Sequence, residues 1–517
     1  MEGTIWSLVP PLVVIILVLL TRKVLLSLGA GIVVGALMIA EFDVIEALNQ
    51  IWSSFIGNFY VDGAIETWGV QLILFLLLLG VLIAFLTATG GARAFGRWAI
   101  ERIQTREGSQ YTTGLLGLGI FIDDYFNSLT IGQVSRPITD RQNVSRAKLA
   151  YLIDSTSAPV TVLMPISSWG AYIIGTIGVI IADHELGYQA FETFVRMIPF
   201  NFYAIAAIIL VFVVIRLNLD IGLMRQHEKR AKSTGELIDP LNKGDIPGDL
   251  KDDVHESERG YIYHLVAPIL ILIGATVITM VVTGIDATEG DVSLVSIFAN
   301  TNVNYSLCLG GAIAVVSSMA LYFMQKGEKT NFFRVVWEGI KAMLPAIYIL
   351  VLAWMTVSII GGIGTDAYLA QKVEEDWNFT ITYLPIIVFM ISGFMAFATG
   401  TSWGTFGIML PIAGSIAASM DPNFFVPALA AVLAGSVFGD HCSPISDTTV
   451  LSSTGAGSNH IDHVMTQIPY AIIAAVSSLA GYLLYGLTGS LIVGLLVTIG
   501  FMFLIVYFVH RKVREVQ

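Results

Sequence analysis

Asp123 and Asp124 stand side by side inside the apolar run 115–131. A carboxylate at bilayer depth costs several kcal/mol unless it meets water, a partner or a cation. Asp154, Asp440 and Asp447 repeat the pattern, each among Gly, Pro, Ser and Thr residues that interrupt helices. Carboxylate, amide and hydroxyl oxygens suit a hard cation such as Na+. On a helix Asp124 shares a face with Asn127 and Ser128, and Asp123 shares one with Asn127. Neighbouring helical residues point about 100° apart, so only one of the two adjacent acids is expected to face a given cavity. Asp154, Ser155, Thr156 and Ser157 precede Pro159, which removes a helix hydrogen bond and frees a carbonyl. Asp440, His441, Ser443, Ser446, Asp447 and Thr448 surround Pro444, and Thr399, Thr401, Ser402 and Thr405 flank Gly400 and Gly404. These residues are the expected ion or substrate site, with Asp124, Asn127, Asp154, Asp440 and Asp447 as the Na+ ligands.

Each cluster also has a plainer reading. Ser and Thr beside a proline cap restarting half-helices. His441 either carries protons near neutral pH or is a neutral histidine bonded to Asp440 or Asp447. Trp403 either closes over a substrate or packs on the scaffold. Cys442 reads as a small packing residue.

The elements that must position these residues are membrane helices. Hydrophobic residues make up 55% of the chain and charged residues 13%, against roughly 25% charged in a soluble domain. Apolar stretches of about 17–25 residues recur along the chain. The first, 5–20, is expected to be a retained transmembrane helix, because no small-residue cleavage site follows it. Cys308 and Cys442 form no disulfide framework pattern. The net charge of −12 argues against a nucleic-acid partner.

Positive charge marks the cytoplasmic side. Arg22 and Lys23 follow the first helix, the basic-free loop 41–68 reads as outside, and Arg93, Arg97, Arg102 and Arg106 read as cytoplasmic. The next run is followed by Arg136, Arg141, Arg146 and Lys148. The simplest solution is that 112–135 enters and returns as a re-entrant hairpin turning near 123–127. Continuing this way leaves every Lys and Arg cytoplasmic except Arg196 and Lys372. The expected fold is an all-α polytopic membrane protein. It has about eleven transmembrane helices of bilayer length and two re-entrant hairpins, with the N-terminus outside and the C-terminus cytoplasmic, in the cell membrane.

The halves read as inverted repeats. Residues 1–217 hold hairpin 112–135 and broken helix 148–182. A charged cytoplasmic linker, 218–260, leads to 261–487, which hold hairpin 381–418, turning near 399–405, and broken helix 425–453. A last helix and tail, 488–517, close the chain. Asn127-Ser128 with Pro137 parallels Thr401-Ser402 with Pro411. Ser168-Trp169-Gly170 also resembles Ser402-Trp403-Gly404, but falls outside this register. Inverted repeats with broken helices mark secondary transporters, whose sites form where the breaks meet near the midplane. Unpaired backbone there is tolerated only where it lines a cavity or binds something.

Phe121-Ile-Asp-Asp-Tyr-Phe-Asn-Ser-Leu, Asp154-Ser-Thr-Ser-Ala-Pro-Val, Gly400-Thr-Ser-Trp-Gly-Thr and Phe438-Gly-Asp-His-Cys-Ser-Pro-Ile-Ser-Asp-Thr-Thr carry a resemblance. With them the chain resembles the NhaC family of Na+/H+ antiporters. The resemblance implies exchange of Na+ for protons without a bound cofactor. It also implies an elevator arrangement, in which a dimerising scaffold holds a mobile domain that carries both hairpins. Competition of Na+ and H+ for one carboxylate would couple the fluxes, since an empty charged site is costly to move through lipid. The alternative is a Na+- or H+-coupled carrier or exchanger of a small organic solute, an amino acid or a carboxylate such as malate or lactate. A membrane enzyme has less support, because neither HExxH nor a nucleophile-plus-base arrangement appears.

Overall fold

Apolar runs of bilayer length fold as helices, because in lipid each backbone N–H and C=O must be paired within the segment. The computed structural model describes residues 3–21, 23–61, 63–121, 123–165, 167–241, 257, 259–288, 292–325, 330–365, 368 and 381–515. Among these, nine helices are long and apolar enough to cross a membrane. They are Gly69–Ala88, Tyr263–Ala287, Val303–Met324, Phe332–Gly362, Ile381–Thr399, Ser402–Met420, Pro422–Cys442, His460–Thr488 and Leu491–Lys512. The pair Ala190–Phe200 and Phe202–Leu217, bent by 49°, makes up to a tenth. The protein is an all-α polytopic membrane protein. Two of the nine, Ile381–Thr399 and Ser402–Met420, are the arms expected as a re-entrant hairpin; the other seven fall below about eleven because several apolar helices, among them Ile5–Leu17, Leu25–Ile39 and Tyr172–Ala182, are shorter than the ~20 residues a span needs. The one described sheet is a two-stranded hairpin, Tyr60–Val61 with Ala64–Ile65. Arg22, Asp62, Lys243, Lys251, Glu289, Asp291, Lys326, Lys329, Asp366, Lys372, Glu374, Glu375 and Asp376 lie outside the described residues.

Residues 112–135 do not form one straight helix. Helix Arg106–Gly119 stops, and Asp124–Arg141 runs back beside it. The far ends are tied together: Gln142 Nε2 donates to Ile103 O at 2.8 Å, and Arg106 Nε to Asn143 O at 3.3 Å. The break comes slightly before the expected turn, because Asp123 is extended (φ −155°, ψ 142°) and caps the second arm through Phe126 N. The second hairpin pairs Leu384–Thr399 with Ser402–Met420. Gly400, at φ 72°, makes its turn, and a Cβ there would lie 2.6 Å from Ile445 Cγ1.

Both long polar clusters fall at helix breaks. Arg146–Asp154 gives way to the single turn Ala158–Thr161 and then Ser168–Asp183. Phe425–Cys442 stops before Asp447–Ala456. Each hairpin's second arm packs on the post-break helix of the other half. Asp124–Arg141 crosses Asp447–Ala456 where a Cβ on Gly132 would sit 2.1 Å from Gly455 O. Ser402–Met420 meets Ser168–Asp183 through Trp169 and Phe406, ring centroids 5.5 Å apart, and through His184 Nε2 and Ser415 Oγ at 2.9 Å.

The apolar interior divides accordingly. One large core is built from residues within 147–224 and 384–506. A second joins residues within 72–95 and 265–354 and includes Phe126, Leu129, Ile138 and Leu451 at the contact between the two.

Several basic residues of the charge reading are packed rather than free. Within the linker 218–260, helix Leu223–Thr234 buries Met224, His227, Glu228 and Ala231. Glu228 accepts from Arg106 and from Ser145 N, the latter at 2.9 Å. Lys148 is 1% exposed and pairs with Asp220 at 2.9 Å. Arg136 donates to Thr454 O, and Arg146 to Ala456 O at 2.8 Å. These guanidinium groups therefore cap the C-terminus of Asp447–Ala456, where a helix dipole favours positive charge.

Candidate functional site

The acids occupy helix ends. Asp124 and Asp447 are the first residues of their helices, where the dipole favours an anion. Asp154 ends helix Arg146–Asp154, and Asp440 lies in the last turn of Phe425–Cys442. There the dipole opposes negative charge, so each needs donors, a proton or a cation.

Asp154 is fully buried and has donors. Ser452 Oγ donates to Oδ1 at 3.0 Å, and Gln467 Nε2 to Oδ2 at 2.5 Å. His463 Nε2 lies 3.1 Å from Oδ2, and His441 Nε2 lies 3.7 Å away. Gln467 Nε2 also reaches His441 O at 2.6 Å. His441 bonds neither Asp440 nor Asp447, which was one of its two readings. Its Nδ1 pairs with Tyr203 OH at 2.8 Å and its Nε2 with Ser155 Oγ at 3.3 Å. The reason is helical geometry: adjacent residues of one helix point apart, so His441 reaches elements packed against its own.

A row of hydroxyls joins this network to the first break. Ser452 Oγ lies 3.1 Å from Ser128 Oγ, which donates to Ser157 Oγ at 3.0 Å, which donates to Asp124 O at 2.8 Å. Each half thus supplies part of the network. Asn127 Nδ2 donates to Gly117 O, Ile120 O and Thr156 O, at 2.9, 2.5 and 3.3 Å. Its buried Oδ1 has no hydrogen-bond partner.

Asp124 and Asp440 are each half-satisfied. Trp169 Nε1 donates to Asp124 Oδ1 at 2.8 Å, and Ser402 Oγ to Asp440 Oδ2 at 2.7 Å. Asp124 Oδ2 and Asp440 Oδ1 are buried without a hydrogen-bond partner. A buried carboxylate oxygen in that state is costly unless a cation or proton reaches it. Asp447 is half-buried and accepts from Tyr125 OH.

A cavity of about 820 Å³ opens at the breaks, lined by Asp123, Asp124, Tyr125, Trp354, Trp403 and Asp447 among others. Asp123 and Asp124 thus face the same cavity, against the helical expectation. The 100° rule fails because Asp123 stands outside the helix in an extended conformation. Trp403 both lines the cavity and packs, stacking on Tyr172 at 4.8 Å.

Other expected residues hold the breaks in shape. Thr401 and Ser446 cap helices through Gly404 N and Thr449 N, and Ser446 Oγ meets Thr448 Oγ1 at 2.8 Å. Thr156, Thr399, Thr405 and Ser443 donate to the carbonyls of Leu152, Met395, Thr401 and Phe397. Cys442 is a buried free thiol. Among the described residues no three His, Cys, Asp or Glu side chains form a metal cluster. The expected acids are therefore spread between the cavity, the second hairpin tip and the Asp154 network.

Sequence reasoning missed Tyr125, Trp169, Tyr203, Ser452, His463 and Gln467. His463 and Gln467 had a signal: two polar residues four apart in a span share a helix face. Trp169 had one too. Ser167 caps Gly170 N as Thr401 caps Gly404 N, so both Ser-Trp-Gly motifs open helices, and their tryptophans meet edge to face at 6.2 Å. Tyr203 had none.

The profile of the Na+/H+ antiporter family matches residues 160–487. An uncharacterized protein of Haemophilus influenzae is 44% identical over 516 residues, 99% of this chain and 96% of its own length. An uncharacterized Na+/H+ antiporter of the same organism is 31% identical over 153 residues, 29% of this chain and 31% of its own. The malate-2H+/Na+-lactate antiporter of Bacillus subtilis is 28% identical over 200 residues, 37% of this chain and 40% of its own.

Proposed function

The chain belongs to the Na+/H+ antiporter family, and on that premise we propose that this secondary antiporter exchanges Na+ for protons by competition at Asp124 and Asp440. The observation that carries the reading is the pair of orphaned carboxylate oxygens, Asp124 Oδ2 and Asp440 Oδ1, at breaks supplied by both halves. Either a proton or Na+ satisfies such an oxygen, and the two cannot do so together. An empty charged site is costly to carry through lipid, so the loaded forms move and the fluxes are coupled. Asn127 Oδ1, buried and without a partner, is a further oxygen for Na+, and Asp154 and Asp447 complete the acidic set. The chain catalyses no covalent step in this reading.

The two halves act as inverted repeats, supported by the reciprocal packing of each second hairpin arm on the other half's post-break helix. The large core of 147–224 and 384–506 moves as a body against the bundle of Gly69–Ala88, Tyr263–Ala287, Val303–Met324 and Phe332–Gly362. The separation of apolar cores supports this elevator arrangement. A carboxylate substrate has less support, since among the described residues lining the cavity there is no Lys or Arg.

Proteoliposomes containing a pH-sensitive dye test the exchange. An inward Na+ gradient should drive protons out through the wild type. Asp124→Asn and Asp440→Asn should abolish this while the protein elutes as a single folded species. Normal exchange by Asp440→Asn would show that the orphaned oxygen has no part in coupling.

A further inference from the structure

The cavity is far larger than a bare metal ion requires. At about 820 Å³ it falls in the 300–1,000 Å³ range of small-molecule sites. Its walls are also of a particular kind. Asp123, Asp124 and Asp447 give it carboxylates, and Tyr125, Trp354 and Trp403 give it aromatic rings. Among the described lining residues no Lys or Arg offsets the acids. Acid and aromatic walls together bind organic cations, because ring faces attract a cation that is too large or too weakly hydrated to be caged by oxygens.

Asp124 supplies the anchor. It is 2% exposed, lines the cavity, and has Oδ1 committed to Trp169 while Oδ2 has no hydrogen-bond partner. Trp169 in turn meets Trp403 edge to face, so the anchor and the aromatic wall are held by one cluster. Trp403 is fixed from its other side by Tyr172, stacked at 28°. Another wall comes from 300–304, where the chain enters helix Val303–Met324, and from Trp354 and Ser358 on Phe332–Gly362. The cavity therefore lies between the two bodies assigned above.

We infer that this cavity binds a small guanidinium or alkylammonium ion at Asp124, in competition with Na+, and exchanges it for protons. The inference rests on the antiport reading and adds a second substrate class to it. The N–H donors of such an ion satisfy Asp124 Oδ2, and its apolar body fills the space between the rings. Na+ and the organic cation then occupy the same carboxylate in turn.

Methylguanidinium is a suitable probe, because a guanidinium stays protonated at any working pH and does not leak across lipid as a neutral base. Radiolabelled methylguanidinium should accumulate in wild-type proteoliposomes when an opposing proton gradient is imposed, above protein-free liposomes, and excess Na+ should suppress it. Trp403→Leu and Trp354→Leu should raise the KM for methylguanidinium about 3- to 30-fold, more than they raise the KM for Na+. Asp124→Asn should abolish uptake. Absence of proton-driven uptake alongside intact Na+/H+ exchange would overturn the inference and leave antiport standing. Absence of proton movement with either cation would overturn the antiport reading itself.

Discussion

Asp154 and Asp440 occupy similar places, the C-terminal ends of pre-break helices, yet differ in what surrounds them. Asp154 has Ser452, Gln467 and His463 within hydrogen-bond distance, whereas Asp440 has Ser402, with the Ser446 hydroxyl nearby, and its Oδ1 makes no well-formed hydrogen bond. Under the antiport proposal, Asp154 is the acid held by protein donors and Asp440 the one with an oxygen open to an ion. Gln467 is central to the Asp154 network, since its one Nε2 serves both Asp154 and the His441 carbonyl. Gln467→Leu should leave two buried acceptors short of a donor, at about 1–3 kcal/mol. The measurement is the melting temperature in detergent, which should fall several degrees. An unchanged melting temperature would mean that water or a rotated side chain replaces the amide. The polar residues that sequence reasoning selected do gather at the breaks. Their partners were hidden, because contacts such as Asp154 with His463 join residues more than half the chain apart.

The helices meet where glycines leave no side chain. A Cβ on Gly455 would sit 2.3 Å from Ser128 O, and one on Gly80 would sit 2.2 Å from Gly339 O. Small residues permit such close crossings in membranes, where association depends on packing rather than on exclusion of water. Because the obstacle at Gly455 is backbone, no side-chain rotation relieves it. Gly455→Val should cost about 1–3 kcal/mol, as overpacking does, and lower both melting temperature and exchange rate. Gly274→Ala is the control, since a Cβ there meets nothing within 4 Å. Equal stability of Gly455→Val and the wild type would contradict the observed crossing. The hairpins and breaks were legible from glycine, proline and capping residues. The exact break before Asp124 was not, because the cap made by Asp123 looks like any acid in an apolar run.

At the scale of the molecule, the charge bias of the loops sets a direction across the bilayer. We expect the N-terminal part to face outside and the C-terminal tail to face the cytoplasm. In a background lacking Cys308 and Cys442, a membrane-impermeant maleimide should label Glu46→Cys in intact cells and spare Lys512→Cys. Both residues are exposed. The reverse pattern would invert the orientation. Arg136, Arg146 and Lys148 entered the charge count as ordinary cytoplasmic markers, yet they cap a helix or pair with a buried Asp220. They keep the bias in the count while also binding the halves together.

The chain alone determined the membrane class, the helical segments, the interruptions and the acids beside them. Those properties follow from composition and from local rules of helix starting and stopping, which act within a few residues. Only the tertiary structure decided which oxygens have partners. It placed Trp169 on Asp124, Ser402 on Asp440 and His463 on Asp154, and it set both adjacent acids facing one cavity. Hydrogen bonding of a buried side chain depends on what the packing brings within about 3 Å, and no local pattern in the sequence encodes that distance.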